Sequence, residues 1–312
     1  MGNTPAPQGQ ISVRLFGTFE VRRNGVTLSA ADMGGCKPRH ILEILLLNLG
    51  SPVSKNRIIE TLWGPAAGHG TVATLESYIS GIRRAIQPGN TKNGPLRTAN
   101  GGYVLDPALV ELDLARFRHL VDEAELASPP DAYTMLTQAL ELSADPLLGS
   151  ELAFDWADEA RAGQEAEKVA AQVKAAEAAA SAGRPMDSIQ WAQRAVESDA
   201  LNERAWTLLI TGYEQLGLPA EGLSAYARCR AVFDRELGCA PGPALQAAHM
   251  RLLRQRAEVN SDLSEVMAAL VYLGDSLDGQ RNSWGPATDE GFTRENAGRI
   301  VTSFLRRARV AV

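Results

Sequence analysis

Cysteine and histidine are both scarce in this sequence. Three cysteines and four histidines are scattered over 312 residues, without a CxxC pair or the close spacing typical of metal sites. No order of Ser, His and Asp, or of Cys and His, indicates a nucleophilic catalyst, and no GxxxxGK[ST] motif indicates a phosphate-binding loop. We therefore expect no metal, no cofactor and no enzymatic activity.

Long apolar runs are also missing. The first ten residues, MGNTPAPQGQ, contain neither a basic stretch nor an apolar run, so no secretory signal is visible. The longest apolar run, residues 41–50, is interrupted by Glu43 and is too short to span a bilayer. With 45% hydrophobic and 22% charged residues, the composition is typical of a soluble globular protein of about two domains. We expect a cytoplasmic protein with no membrane partner and a disordered N-terminus over residues 1–10.

Positive charge is concentrated in the N-terminal third. Residues 1–110 contain eleven Lys or Arg and six Asp or Glu, which gives a net charge of +5. Because the whole chain carries −6, the remaining residues carry −11. A basic segment joined to an acidic one suggests a polyanion-binding domain followed by a body that does not bind polyanions.

The order of elements in this basic segment predicts a winged helix. Residues 11–30 alternate apolar and polar positions around a turn at Arg23–Gly25, which predicts an antiparallel hairpin. Pro38 in a first turn and Ser54 as an N-cap predict two helices. A third helix over residues 74–86 and a second hairpin follow. In such an order of elements, the third helix enters the major groove of DNA.

The third helix has two chemically distinct faces. At 100° per residue its large apolar side chains fall in one sector, which predicts a buried face. The opposite side is small and hydroxylated, and becomes basic toward the C-terminus, so it suits base edges and phosphates. The alternative is a solvated helix face whose basic end is favoured by the helix dipole. The predicted DNA-contacting residues here are Thr74, Ser77, Ser80, Arg83 and Arg84.

Polar residues outside the third helix predict further DNA contacts. Lys37 and Arg39 lie at the start of the first helix, where backbone N–H groups attract phosphate. Lys55 lies in the first turn of the second helix, and Arg97 and Asn100 lie on the second hairpin, within reach of an adjacent minor groove. Taken singly, each is an ordinary surface residue. Together they lie on one side of a single module.

From about Val110 the sequence changes to helices rich in Ala, Leu and Glu. Residues 170–203 and 204–234 align with Gly183 on Gly217, and this offset of 34 residues is the length of a tetratricopeptide unit. Stacked helix pairs of this kind form a concave surface. The predicted fold is therefore mainly α with a small β part: an N-terminal winged helix-turn-helix followed by a tetratricopeptide-like all-α domain.

These segments resemble a known family. LFGTFEV, KPRHILEILLLNLGSPVSKNRIIETLWG, TLESYISGIRRAI and RTANGGYVL are similar, in order and spacing, to the OmpR-type winged helix of the SARP family, the Streptomyces antibiotic regulatory proteins. DLARFRHLVDEA and the repeat region resemble that family's bacterial transcriptional activator domain. The resemblance implies domains at residues 11–108 and 109–256, with a helical extension of unknown role at residues 257–312.

The resemblance also implies a function. Members of the family activate transcription: they bind promoter direct repeats in double-stranded DNA near the −35 region, side by side or as a homodimer, and recruit RNA polymerase holoenzyme with its sigma factor. The implied role is control of a biosynthetic gene cluster at the nucleoid. Many members have an arginine where this chain has Gly81. The alternative function is a helical scaffold that senses a ligand or a protein and binds DNA only secondarily. The loop expected near polymerase includes Gly64, Pro65, Gly68 and His69.

Overall fold

The chain forms two compact units in the computed structural model, and they divide between Asp199 and Ala200. The structure describes residues 10–29, 31–89, 93–149, 155–277, 295 and 297–303. The N-terminus predicted to be disordered, residues 1–10, lies outside these ranges except for its last residue, and so does much of the predicted extension, residues 257–312. Among the described residues, no helix combines the length and the apolar character that a membrane span needs.

The first unit begins with a four-stranded sheet. Its strands are β1 (Ile11–Arg14), β2 (Glu20–Arg23), β3 (Val26–Leu28) and β7 (Val110–Leu112), in the order β3-β2-β1-β7. Asn24 and Gly25 connect β2 to β3 with φ values of 48° and 79°, as a two-residue type I′ turn requires. The predicted hairpin is confirmed. The parallel pairing of β7 with β1 is an addition that sequence reasoning did not predict.

Three helices follow the first hairpin. They are α1 (Cys36–Leu47), α2 (Lys55–Trp63) and α3 (Thr71–Ile86). Pro38 lies in the first turn of α1, where a missing N–H costs no helical hydrogen bond. The predicted N-cap Ser54 is confirmed, because its hydroxyl accepts a hydrogen bond from the Arg57 backbone N–H at 3.2 Å. The apolar sides of the three helices share one core with the strands.

A second sheet completes the winged helix. Its strands are β4 (Val53–Ser54), β5 (Leu96–Ala99) and β6 (Gly102–Leu105), in the order β4-β6-β5. Asn100 and Gly101 connect β5 to β6 with φ values of 49° and 74°, which makes a second type I′ turn. The second predicted hairpin is therefore also confirmed, and it forms the wing.

Four helices join the winged helix within the first unit. They are α4 (Asp113–Ala124), α5 (Pro129–Leu142), α6 (Asp155–Ser181) and α7 (Pro185–Ser198), each packed on the next. The segment after α5 docks on the end of β1. There the Leu148 N–H donates to the Leu15 carbonyl at 2.8 Å, and the Gly17 N–H donates to the Pro146 carbonyl at 2.9 Å. The winged helix and these helices therefore share one packed body.

Three long helices lie in the described part of the second unit. They are α8 (Glu203–Gln215), α9 (Pro219–Leu237) and α10 (Pro243–Leu277). Residue 256, the predicted end of the helical domain, lies inside α10, which continues without a break to Leu277. Residues 297–303 are also helical. The described elements confirm the predicted fold class, mainly α with a small β part.

The predicted repeat is visible in two turns of the same geometry. Gly183, before α7, and Gly217, before α9, have φ values of 71° and 68°, which suit glycine because it has no Cβ. In each turn the residue after the glycine donates a backbone hydrogen bond to a carbonyl five residues earlier, at 2.9 and 3.0 Å. Such a bond is typical of a Schellman helix ending.

One interior glycine of α6 offers a simple stability test. A Cβ on Gly163 would meet no neighbour within 4 Å, so Gly163→Ala adds only helix propensity. We expect the free energy of unfolding to rise by about 1 kcal/mol, measured by urea denaturation. The contrasting variant is Gly222→Ala in α9, whose Cβ would lie 2.7 Å from Leu252 Cδ1 and should lower stability by overpacking. A gain for Gly222→Ala, or a loss for Gly163→Ala, would contradict this account.

Candidate nucleic-acid interface

Helix α3 buries one face and exposes the other, as its periodicity predicts. Leu75, Ile79 and Ile82 are at most 1% exposed and belong to the winged-helix core. Ser77 and Arg84 lie on the opposite side and are exposed, together with Ala73, Thr74 and Ser80. Four of the five contact residues predicted on this helix are therefore exposed, and Arg83 is half-buried.

The hydroxyl groups on this face differ in their hydrogen bonding. Thr74 Oγ1 donates to the Gly70 carbonyl at 3.1 Å, and Ser80 Oγ donates to the Glu76 carbonyl at 2.9 Å. Ser77 makes no side-chain hydrogen bond to any described residue. Its hydroxyl is thus the one on this face whose proton is not committed to a described acceptor.

The two adjacent arginines at the end of α3 have different environments. Arg83 Nε donates to the Leu96 carbonyl at 3.2 Å, and its Nη2 donates to Thr98 Oγ1 at 2.7 Å. The Arg83 guanidinium also lies 5.8 Å from the Tyr103 ring centroid. Arg83 therefore links the wing to α3. Arg84 is exposed, and no described residue accepts a hydrogen bond from it.

An acidic residue on α3 changes the role of Lys55. The Lys55 ammonium lies 2.5 Å from Glu76 Oε1, and this hydrogen bond raises the pKa of Lys55. Glu76 is exposed on the same helix as Ser77, so it places negative charge beside the predicted contact face. Sequence reasoning missed Glu76, although its outward position on the helical wheel was a visible signal. The ion pair leaves little net charge at this edge.

The two cations at the start of α1 also lie in different environments. The Lys37 ammonium is exposed and lies 4.6 Å from the centroid of the Trp63 ring, a cation–π contact that leaves its charge available. Arg39 Nε lies 3.5 Å from Glu43 Oε1, and the Glu43 side chain is fully buried. Lys37 therefore projects toward solvent, whereas Arg39 is drawn toward the core by a buried carboxylate.

The wing carries one paired and one projecting polar residue. Arg97 forms an ion pair with Asp106 across the base of the hairpin. Asn100 is exposed at the tip, in the left-handed conformation that asparagine tolerates better than most residues. Of the two predicted wing contacts, Asn100 is the one at the extremity. The adjacent Tyr103 is buried, and its burial raises the pKa of its phenol.

The loop between α2 and α3 is exposed and internally braced. It begins with a 3₁₀ turn, Gly64–Ala66, and Pro65, Gly68 and His69 are exposed. Thr71 Oγ1 accepts a hydrogen bond from the Gly68 N–H at 3.0 Å and donates to the Gly68 carbonyl at 2.9 Å. The loop therefore presents a defined surface beside α3.

These features define a class of protein. A three-helix core, an exposed third helix with a basic end and a two-stranded wing constitute a winged-helix transcriptional regulator, here joined to helical repeats. Residues 36–105 match the family model of the C-terminal domain of transcriptional regulatory proteins. Residues 112–253 match the bacterial transcriptional activator domain. These matched domains belong to regulators and not to enzymes.

The chain thus combines the two domains of SARP-type transcriptional regulators. It is 27% identical to the transcriptional regulatory protein EmbR of Mycobacterium tuberculosis over 261 residues, which cover 82% of this chain and 66% of EmbR. It is 25% identical to the regulatory protein DnrI of Streptomyces peucetius, over 83% of this chain and 98% of DnrI. It is 28% identical to AfsR of Streptomyces coelicolor, over 91% of this chain and 28% of AfsR.

A solved structure shares the architecture. The structure of Mycobacterium tuberculosis EmbR in complex with a low affinity phosphopeptide superposes with a TM-score of 0.70 and 25% sequence identity. The similarity covers 84% of this chain and 71% of that one. The winged helix and the helical repeats thus occur in the same combination in both proteins.

Proposed function

We propose that this protein activates transcription by binding direct repeats in promoter DNA near the −35 region and recruiting RNA polymerase holoenzyme with its sigma factor. The observation that carries the proposal is the exposed face of α3, on which Ser77 and Arg84 have no partner among the described residues. Groups of this kind are free to bond base edges and phosphates in a major groove.

The surroundings of α3 support a DNA ligand. Lys37 projects from the start of α1 and can neutralise a phosphate, and Asn100 at the wing tip can reach an adjacent minor groove. We assign Lys55, Arg83 and Arg97 a positioning role, because each is held by a partner within the winged helix. The net charge of +5 over residues 1–110 favours a polyanion.

The remaining parts of the proposal rest on the resemblance to the SARP family. Direct repeats imply that two protomers bind side by side in the same orientation, and the exposed loop Gly64–Gly70 is the surface we assign to the polymerase. We further infer that the target is a biosynthetic gene cluster, as the SARP resemblance implies, and that the protein acts at the nucleoid.

Arg84→Ala tests this proposal. Because Arg84 has no structural partner among the described residues, its removal should leave folding intact. We expect affinity for a direct-repeat promoter duplex to fall about ten-fold, and the slope of log K against log salt to become about one unit shallower. A fluorescence anisotropy titration at salt concentrations from about 50 to about 200 mM measures both the affinity and the salt slope. Run-off transcription with purified holoenzyme should fall in parallel.

The matched control is Arg230→Ala, which removes an exposed arginine from α9 in the helical body. It makes the same change in net charge, so it should leave binding and transcription unchanged. If the wild-type protein binds repeat-containing and scrambled duplexes equally, even at low salt, the proposed function is wrong. If Arg230→Ala weakens binding as much as Arg84→Ala, the interface is not on α3.

A further inference from the structure

The first turn of α3 exposes methyl groups instead of polar groups. Val72 is 45% exposed, and Ala73 and Thr74 are exposed beside it. On the helix, Ala73 lies at the centre of the outward face, with Val72 and Thr74 on its two flanks. A single exposed valine needs no explanation. Three consecutive methyl-bearing residues on the helix assigned to DNA contact define a surface, which we name the methyl turn.

The hydroxyl of Thr74 does not make this turn polar. Thr74 Oγ1 donates its proton to the Gly70 carbonyl at 3.1 Å, so the helix already uses it. The γ-methyl is then the uncommitted part of the Thr74 side chain. One turn later Ser77 carries a hydroxyl with no acceptor among the described residues, and Arg84 follows toward the C-terminus. The outward face therefore changes from apolar to polar to cationic along the helix.

Major-groove chemistry offers one apolar partner for such a turn. The 5-methyl group of thymine is the single apolar marker that the four base pairs present there, and alanine and threonine methyl groups pack against it. Glycines at positions 68 and 70, just before the helix, present no bulk that would hold the backbone away from the groove floor. Close approach and methyl-on-methyl packing are therefore both possible at this turn.

We propose that the methyl turn reads thymine, with Val72, Ala73 and Thr74 packing against thymine 5-methyl groups in each half of the direct repeat. This inference rests on the proposed function, because it requires α3 to lie in the major groove. It adds that A·T pairs are selected beneath the N-terminal end of the helix, through apolar contact and without a hydrogen bond from these side chains.

Deoxyuridine substitution isolates the methyl group, since uracil pairs as thymine does and lacks only that methyl. In the repeat duplex selected from random DNA by the full chain, each thymine is replaced in turn by deoxyuridine. We expect about a four-fold loss of affinity for every contacted methyl, the value for burying one such group. Val72→Ala and Thr74→Ser should bind the thymine duplex several-fold more weakly and should become insensitive to uracil at the positions they contact.

Thr74→Ser deletes the methyl and keeps the hydroxyl that bonds Gly70. Its matched control is Thr134→Ser, because Thr134 in α5 is exposed and donates to the Pro130 carbonyl at 3.0 Å in the same way. Thr134→Ser should retain full uracil sensitivity. The methyl-turn proposal alone is overturned if the wild-type chain binds selectively but with no loss of affinity for uracil duplexes. It is also overturned if Thr74→Ser and Val72→Ala lose as much affinity for uracil duplexes as the wild-type chain does. Absence of sequence-selective binding by the wild-type chain overturns the proposed function instead.

Discussion

Gly102→Ala is expected to unfold the winged helix or to destabilise it by about 3 kcal/mol or more, at the upper end of overpacking effects. A Cβ at this position would lie 2.0 Å from the Val53 carbonyl oxygen and 2.8 Å from Ser54 Cα. Both are backbone atoms of β4, so no side-chain rotation relieves the clash. Because Gly102 pairs with Ser54 in β4 and with Ala99 in β5, any shift disturbs the whole second sheet.

Urea denaturation followed by circular dichroism measures the loss, and DNA binding should disappear with it, since the wing is built on β5 and β6. Gly68→Ala is the control: a Cβ on Gly68 would meet nothing within 4 Å, so this variant should match the wild-type chain in stability. A Gly102→Ala protein within about 1 kcal/mol of the wild type, the lower end of overpacking effects, would show that β4 and β6 can separate at little cost.

The contrast between these two glycines shows which features a sequence reveals. The hairpin turns at Asn24–Gly25 and Asn100–Gly101 were predictable, because type I′ geometry depends on two adjacent residues. The buried face of α3 was predictable for a similar reason, since Leu75, Ile79 and Ile82 are neighbours on one helix. Glycine is required at position 102 because the backbone of β4 lies against it. Since β4 is about 50 residues earlier in the chain, no local sequence pattern indicates this requirement.

The candidate interface shows the same limit. Sequence reasoning grouped Arg83 with Arg84, because adjacent arginines at a helix end look alike. The structure separates them through Leu96 and Thr98, which approach Arg83 from the wing. Likewise Lys55 is paired by Glu76, 21 residues away. The face of a helix follows from local periodicity, but which of its charges are already paired follows from the tertiary fold.

Asp113→Asn is the second change for which we expect a large effect. Asp113 directly follows β7, which pairs with β1, and its carboxylate binds the backbone just beyond the end of β1. Oδ1 accepts from the Leu15 and Leu114 N–H groups at 2.9 and 2.8 Å, and Oδ2 accepts from the Leu15 and Phe16 N–H groups at 2.9 Å. Burial raises the pKa of Asp113, while these backbone N–H groups act in the opposite direction.

An asparagine cannot replace this carboxylate, because one of its two terminal groups is a donor. Its NH₂ would face the N–H of Leu15 and that of either Phe16 or Leu114. Leu15 keeps the remaining oxygen as an acceptor, whereas the Phe16 or Leu114 N–H would have none. We expect the free energy of unfolding to fall by about 2–3 kcal/mol, the cost of losing a charge-assisted hydrogen bond and stranding its donor. Urea denaturation measures this loss, and hydrogen exchange of the Phe16 or the Leu114 amide should accelerate with it.

Asp122→Asn provides the comparison, since Asp122 lies on the same helix α4 and is exposed. It makes the same chemical change without a buried donor to strand, so its stability should match that of the wild-type chain. The expected difference between the two variants follows from position alone. Asp113 is the first residue of α4, and its carboxylate binds the backbone at the end of β1. It thereby joins the helical body to the sheet of the winged helix. Equal stability of the two variants, or unchanged exchange at both Phe16 and Leu114, would mean that the parallel β1–β7 pairing suffices to hold this junction.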